Sequence, residues 1–449
     1  MFGSRGTGSG KITSGGRVWL RSLGLAGLLV GLTACQDAGP RVLVVGIDGA
    51  TRKVIDPLLE AGELPNIAAL QREGTHSAIR TDDKLLLSPR IWTSVATGRE
   101  PDVHGIEDWV RKDPDGSLHL YESTDRRVHA LWNILSSSGR SVGVVNWLQT
   151  HPPERIEGVM VSDHALEGSF EEQVEFVAQF DKGSAKDAPV AADSTGVVFT
   201  SPPEWARRVV DLEQVEGDLT GVPNPFAGAE WEGLGNLTAY FRSRYDNDQD
   251  VTRIALAIQE ELHPDLLMVY LPGIDRVSHF LWNGIEPPKP PESEIERAKL
   301  IEFSAEKHRN ALLQYYRFVD ELLGKLLAGY GPEDLVLVMS DHGFEAGWDP
   351  VGTHDTDDAR DGILLARGPG IPAGAEGATR TPVDIAPTVL NFLGLPLAED
   401  MPGAVAFGEP RGLDRVATYD TSPIERERGG DGGTGDRIMQ DLRSLGYVE

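Results

Sequence analysis

Continuous apolar, β-branched runs recur along the 449-residue chain, with amphipathic stretches between them. The first, RVLVVGIDGA at 41–50, has no polar alternation before it ends in Asp48 and Gly49. Such a run predicts a strand buried on both faces, as in the middle of a parallel sheet. SVGVVNW (141–147), GVMVSD (158–163), PDLLMVYLPGID (264–275), EDLVLVMSDHG (333–343) and DGILLARGPG (361–370) repeat the pattern. Helical periodicity fills the intervals, over 55–74, 128–139 and 307–331. Strands alternating with helices predict an α/β fold, a mostly parallel central sheet flanked by helices on both faces. No repeat of 20–50 residues is visible, which excludes a solenoid.

Two stretches break the alternation. Residues 165–250 are acidic and turn-rich, with segments such as GSAKDAPVAADSTG and little sustained periodicity. They are expected to form an inserted lid on the catalytic core. NGIEPPKPPESE at 283–294 is a shorter irregular connection into the long helix that begins near 295.

The N-terminus predicts export. Arg5, Lys11, Arg17 and Arg21 precede the apolar run LGLAGLLVGLTA, and no acidic residue comes before Asp37. A basic region, a short apolar region and small residues before a cut site describe a signal peptide, and the run is too short to span a bilayer comfortably. It ends in Leu32-Thr33-Ala34-Cys35, which resembles the bacterial lipobox. The expected organisation is a lipoprotein signal peptide at 1–34, a lipidated tether at 35–40 and one catalytic domain at 41–449. Lipid on Cys35 would hold the protein to a membrane, and Gln36 in place of Asp favours the outer membrane, facing the periplasm. Cys35 is the only cysteine, so no internal disulfide can form.

Composition narrows the partners. A formal net charge of -28 argues against binding a nucleic acid duplex through a broad basic surface. The same excess of carboxylates leaves many of them free for divalent cations.

In open α/β sheets, ligands collect at the carboxyl ends of the strands, and several predicted strands here end in metal-type donors. Asp48 ends the first, Asp275 ends the fourth with His279 four residues on, and Asp341-His342 ends the fifth. His354 precedes the next strand in GTHD. Each alone reads equally as a turn, cap or surface residue. Together, three Asp and three His with no Cys are enough for two centres of three protein ligands each, with positions left open for substrate. Zn²⁺ fits these donors, and Mn²⁺ is the second choice.

LLLSPRIWTSVATG at 85–98 carries the candidate nucleophile. Ser88 suits an N-cap, Pro89 the first helical position, and Gly98 the C-cap. The same geometry suits a reactive hydroxyl, because a helix N-terminus presents free N–H groups and partial positive charge to a phosphate. Thr93 and Ser94 fall inside the helix and point away from that end.

Together these segments resemble the alkaline phosphatase superfamily, and most closely its type I phosphodiesterase/nucleotide pyrophosphatase branch. VGIDGA, SPRIWTSVATGREPDVHGI, PGIDRVSHFLW, VMSDHGF and GTHD carry the resemblance, and YYRFVDELLGKLL and TPVDIAPTVLNFLGLP support it. It implies a phosphate-ester hydrolase acting on a small-molecule or nucleotide-type substrate through a covalent phospho-enzyme. It also implies one metal on Asp275, His279 and His354, and another on Asp48, Asp341 and His342 with the Ser88 oxygen.

The run Ser88-Pro89-Arg90-Ile91 departs from the family's Thr-Phe-Pro-Asn-His, whose Asn contacts phosphate. Arg90 is the residue expected to replace it, since a guanidinium binds phosphate oxygens in pairs. Without that Asn, phosphomonoester, diester and phosphonate substrates all stay open. Sulfatases share the fold, but their Cys/Ser-x-Pro-x-Arg spacing is absent. A phosphomutase and a non-catalytic metal-binding lipoprotein are the remaining rivals. Among other residues, His104 is expected to be structural and Asp384 a helix cap. Trp92, Trp109, Trp147 and Trp348 are expected in core or pocket wall, with Asn146 a lesser substrate-contact candidate.

Overall fold

A computed structural model describes residues 39–81, 86–114, 116–166, 198–215, 217–228, 231, 236–287, 289, 305–347, 352–354, 357–428, 435, 438 and 439. The signal peptide and Cys35, Trp348, and 167–197 of the expected insertion lie outside the described residues.

In chain order the strands are β1 (Val42–Ile47), β2 (Thr75–Arg80), β3 (Val110–Lys112), β4 (Leu118–Leu120), β5 (Val142–Val145), β6 (Gly158–Val161), β7 (Thr200–Ser201), β8 (Leu266–Leu271), β9 (Leu335–Met339), β10 (Glu345–Ala346), β11 (Gly352–Thr353), β12 (Asp361–Arg367) and β13 (Ala375–Glu376). Nine of them form one sheet in the order β13-β2-β12-β9-β1-β8-β5-β6-β7. Its centre, β9-β1-β8-β5-β6, is parallel, with Val45 opposite Val269 on one side and Val338 on the other. β12 runs antiparallel to β9 and β2, so the sheet is mostly parallel with reversed strands towards its edges.

The helices are α1 (Arg52–Glu60), α2 (Pro65–Glu73), α3 (Ser88–Thr97), α4 (Pro101–His104), α5 (Leu131–Ser137), α6 (Trp205–Glu213), α7 (Asn236–Leu262), α8 (Gly273–Leu281), α9 (Ala305–Leu327) and α10 (Ile385–Phe392). All six residues of β1 are buried. Its side chains alternate between faces. Leu43, Val45 and Ile47 join a core with α1, α2, α7 and α9, while Val42 and Val44 join a second with α3, α5 and α10. Helices therefore cover both faces, as the unalternated strand pattern requires.

Two expectations need revision. The single helical run at 55–74 is two helices, because Gly62 turns the chain with φ 74° and Pro65 starts the next helix. The stretch at 165–250 also contributes to the core. β7 pairs with β6 in the main sheet, and α7 is a 27-residue helix that begins at Asn236. Its periodicity is hidden because the buried side of RYDNDQDVT is polar. Asn247 donates to the Leu166 carbonyl at 2.6 Å, Asp248 accepts from the Tyr315 hydroxyl at 2.9 Å, and Gln249 accepts from the Leu219 amide at 2.8 Å. Buried polar groups with such partners are tolerated in a core but erase the apolar stripe that marks a helix.

The sheet also seats α3 by close approach. Gly46 lies under the Trp92 ring, and a β-carbon added there would be 2.7 Å from two ring atoms. Gly46→Ala is therefore expected to destabilise the protein by about 1–3 kcal/mol through overpacking. An unchanged midpoint in urea unfolding would show that Trp92 can move aside.

Candidate metal centre and nucleophile

Because β8, β1 and β9 are parallel neighbours, their carboxyl ends lie side by side. Asp48 follows β1 directly, and Asp341 and His342 follow β9 after Ser340. α8 opens two residues beyond β8 and carries Asp275 and His279, one helical turn apart on one face. His354 follows β11. The chain can place it here because antiparallel β12 starts at this same edge.

The six side chains fall into two groups, Asp275 with His279 and His354, and Asp48 with Asp341 and His342. All six are buried, and within each group the candidate ligand atoms lie within 4.8 Å of one another. His279 Nε2 is 3.5 Å from Asp275 Oδ1. His342 Nε2 is 3.4 Å from Asp48 Oδ1 and 3.5 Å from Asp341 Oδ2, and it also reaches Asp275 Oδ1 at 4.0 Å. The groups abut: the His342 and His354 rings stack with centroids 3.9 Å apart. Phe344 walls them in, its ring centroid 5.1 Å from that of His279 and 5.5 Å from that of His354.

The donor set fits divalent cations. Asp48 Oδ1, Asp275 Oδ1, Asp341 Oδ2 and His342 Nε2 are buried with no hydrogen-bond partner. Buried polar atoms in native proteins are almost always satisfied, so four such atoms converging on one place call for ions. The opposite ring nitrogens are held by backbone: His342 Nδ1 lies 2.9 Å from the Gly343 carbonyl and His279 Nδ1 3.2 Å from that of Gly352. Such bonds fix the tautomer that leaves Nε2 as a ligand.

The electrostatics agree. Burial, and then the charge of Asp48, push Asp341 up to about 7 and Asp275 well above the usual carboxylate range. Burial would lower His342, but the carboxylates of Asp341, Asp48 and Asp275 overcome it and raise the group to about 9. Burial and the neighbouring His342 lower His279 to about 3 and His354 well below its ordinary value.

Ser88, 2 % exposed, begins α3. It does not act as the expected cap: Leu87 occupies that position and no side chain caps the helix. The Ser88 hydroxyl lies beside Asp341 instead, close enough to offset a little of the upward shift that burial gives that carboxyl. Two of the expected free N–H groups are lost, because Pro89 has none and the amide of Arg90 donates to the Leu87 carbonyl at 3.0 Å. The same segment comes near the other group, since the Leu86 backbone offsets a little of the lowering that burial imposes on His354.

Residues 42–364 match the family model of type I phosphodiesterase / nucleotide pyrophosphatase. The chain belongs to this family. Phosphopentomutases from Chelativorans sp. (strain BNC1) and Deinococcus radiodurans are similar over short segments, 37 % identical over 87 residues and 36 % over 106. These alignments cover 19 % and 23 % of the chain and only 19 % and 24 % of the relatives' lengths. Among solved structures, a phosphonate monoester hydrolase from Silicibacter pomeroyi is 16 % identical with a TM-score of 0.46, over 83 % of this chain and 78 % of that one.

The other expected residues fall in different places. Arg90 lies two positions beyond Ser88, and residues so spaced do not share a helix face. Its guanidinium donates to the Glu107 carbonyl at 2.8 Å and lines a cavity of about 310 Å³ with Arg80, Ser94 and Thr381, none of them in the two ligand groups. Ser94 pairs with His104 at 3.1 Å, and Thr93 Oγ1 is buried without a partner. Of the three hydroxyls, Ser88 is the one beside a member of the two ligand groups. His104 is structural: buried, lowered to about 3 chiefly by burial, and accepting from the Ile106 amide at 3.1 Å. Asp384 ties down the turn before α10, accepting from the Thr381 amide at 2.9 Å. Trp92, Trp109 and Trp147 are core. Asn146 donates to the Tyr270 carbonyl. The residue overlooked is Tyr270, whose hydroxyl donates to Asp48 Oδ2. It sits inside an apolar strand, and only the order β1-β8 turns its ring towards Asp48.

A cation binding here would have to displace protons from Asp275, Asp341 and His342. The ligand forms of Asp341 and His342 dominate above about 7 and about 9 respectively, so divalent-cation affinity should rise between pH 6 and 9. Calorimetry in buffers of different ionisation enthalpy should show proton release; pH-independent binding without release would contradict these ionisations.

Proposed function

We propose that the enzyme hydrolyses phosphate esters, with Ser88 as nucleophile, at a site for two divalent cations. Zn²⁺ is the ion that best suits the donors, with Mn²⁺ second. The observation that carries this reading is the pair of buried three-ligand groups, with the Ser88 hydroxyl beside Asp341 of one of them.

Asp275, His279 and His354 would hold one cation, and Asp48, Asp341 and His342 the other beside Ser88. Bound cations of this kind act as Lewis acids on the phosphoryl group and lower the pKa of a nearby hydroxyl. Asp341 keeps Ser88 Oγ oriented towards the ligand groups. The hydroxyl loses its proton, Oγ bonds to phosphorus, and the bond from phosphorus to the leaving oxygen breaks. Water then attacks the phosphoserine, the Oγ–P bond breaks, and Ser88 recovers a proton as phosphate or phosphomonoester departs. Phe344 and the surrounding core exclude bulk water from the histidines, which strengthens the electrostatics of the site.

The substrate assignment is a small phosphodiester or nucleotide-type ester, with phosphomonoesters and phosphonates of the same chemistry as alternatives. The partial likeness to phosphopentomutases favours a second reading, in which the phosphoryl group returns to another hydroxyl of the substrate. We also propose that lipid on Cys35 anchors the protein, on the strength of the LTAC segment. Palmitate labelling should then be present in the wild type and lost in Cys35→Ala.

The full chain loaded with Zn²⁺ should turn over at least one of p-nitrophenyl phosphate, its bis ester and its phenylphosphonate ester, and EDTA should abolish the activity. Ser88→Ala should lower turnover by roughly 10³-fold or more, and acid quenching of the wild type should yield a phosphoserine peptide containing Ser88. No turnover on all three substrates with metal bound, or full activity in Ser88→Ala, would overturn the proposal.

A further inference from the structure

Asp48 is held from behind by two buried aromatic side chains. Its Oδ2 accepts from Trp92 Nε1 at 3.1 Å and also from the Tyr270 hydroxyl. A carboxylate oxygen has two lone pairs, so these donors fill Oδ2. Oδ1 is left as the unpartnered atom facing His342 Nε2 at 3.4 Å.

The clamp is itself built in. Trp92 fits against Gly46, two residues before Asp48 on β1. Its ring meets those of Trp147 and Tyr270 edge to face, with centroids 5.2 and 5.4 Å away. Trp147 donates to the Trp92 carbonyl at 3.2 Å, and Asn146, at φ 59°, donates to the Tyr270 carbonyl at 3.2 Å. Residues four apart share a helix face. Ser88 and Trp92 therefore share the side of α3 that faces two carboxylates of one group, with Ser88 beside Asp341 and Trp92 donating to Asp48.

We propose that Tyr270 and Trp92 are positioning residues: they hold Asp48 by Oδ2 so that Oδ1 is presented to a divalent cation, and thereby set the affinity of the Asp48–Asp341–His342 group. This inference rests on the two-cation reading above. Partners behind a metal ligand typically contribute 10–100-fold to affinity by fixing its orientation. The clamp donors are hydrogen-bonded to Asp48 and to no member of the Asp275–His279–His354 group, which should be affected far less.

The test is Zn²⁺ titration of the metal-free full chain against a chromophoric chelator, for wild type, Tyr270→Phe, Trp92→Phe, Asp48→Asn and Tyr270→Phe/Asp48→Asn. Tyr270→Phe removes one oxygen and keeps the ring, and Trp92→Phe supplies an independent second variant. Each should weaken one of two binding events roughly 10–100-fold and leave the other unchanged. In the Asp48→Asn background, Tyr270→Phe should have little further effect, because its influence passes through that carboxylate. A general loss of packing would instead weaken both events and persist in that background. Two wild-type events with unaltered affinities in Tyr270→Phe and Trp92→Phe, or equal losses with and without Asp48, would overturn the clamp alone. Failure of the wild type to bind any cation would overturn the two-cation reading and the clamp with it.

Discussion

Three carboxylates, from Asp48, Asp275 and Asp341, converge within 4.0 Å of one imidazole nitrogen, His342 Nε2, inside the protein. Like charges so close in a poorly solvated place repel strongly, and each has already lost hydration. The protein alone answers with one cationic histidine and raised carboxylate pKa values, an incomplete neutralisation. Divalent positive charge is the natural complement. Most features around the site serve to keep this unfavourable arrangement from relaxing. The Gly343 and Gly352 carbonyls steady the imidazoles, the Gly49 amide holds Asp341 at 3.3 Å, and Tyr270 and Trp92 hold Asp48.

The sheet makes such a cluster possible without loops long enough to lose it. Each of β1, β8 and β9 is buried along its whole length, so its C-terminal end cannot slide without exposing or stranding apolar side chains. Donors attached within a few residues of those ends inherit that rigidity. A site on strand and helix ends is held more tightly than one on free loops. The i, i+4 pair on α8 adds a turn of helix as a second rigid carrier.

Much of this was legible in the sequence because burial on both faces leaves an unmistakable apolar run. The five parallel core strands and the donor residues at their ends could be read from VGID, PGID and SDHG without knowing strand order. What could not be read depended on that order or on polar groups in the core. Tyr270 is an apolar-strand residue until β8 is placed beside β1. α7 was hidden by Asn247, Asp248 and Gln249, whose hydrogen bonds are made to Leu166, Tyr315 and Leu219, far away in sequence. Ser88 was readable as a helix start, but its turn away from capping towards Asp341 is a tertiary choice. The partner of Arg90 was hidden in the same way: its guanidinium donates to the Glu107 carbonyl, 17 residues along the chain.

The chain distances between donors carry a last consequence. The Asp48–Asp341–His342 group joins residues from opposite ends of the sheet-forming sequence, and the Asp275–His279–His354 group joins two more separate segments. Neither set exists until β9, β1 and β8 are assembled, so a cation that binds these groups binds the folded state in preference to the unfolded one. Linkage then makes cation affinity a contribution to fold stability. Conversely, the metal-free fold bears the repulsion of its own carboxylates without that compensation. The hydrogen bonds behind Asp48 and the stacked imidazoles in front of it therefore act in both states. They hold the site open in the free protein and would define which atoms meet an ion bound there.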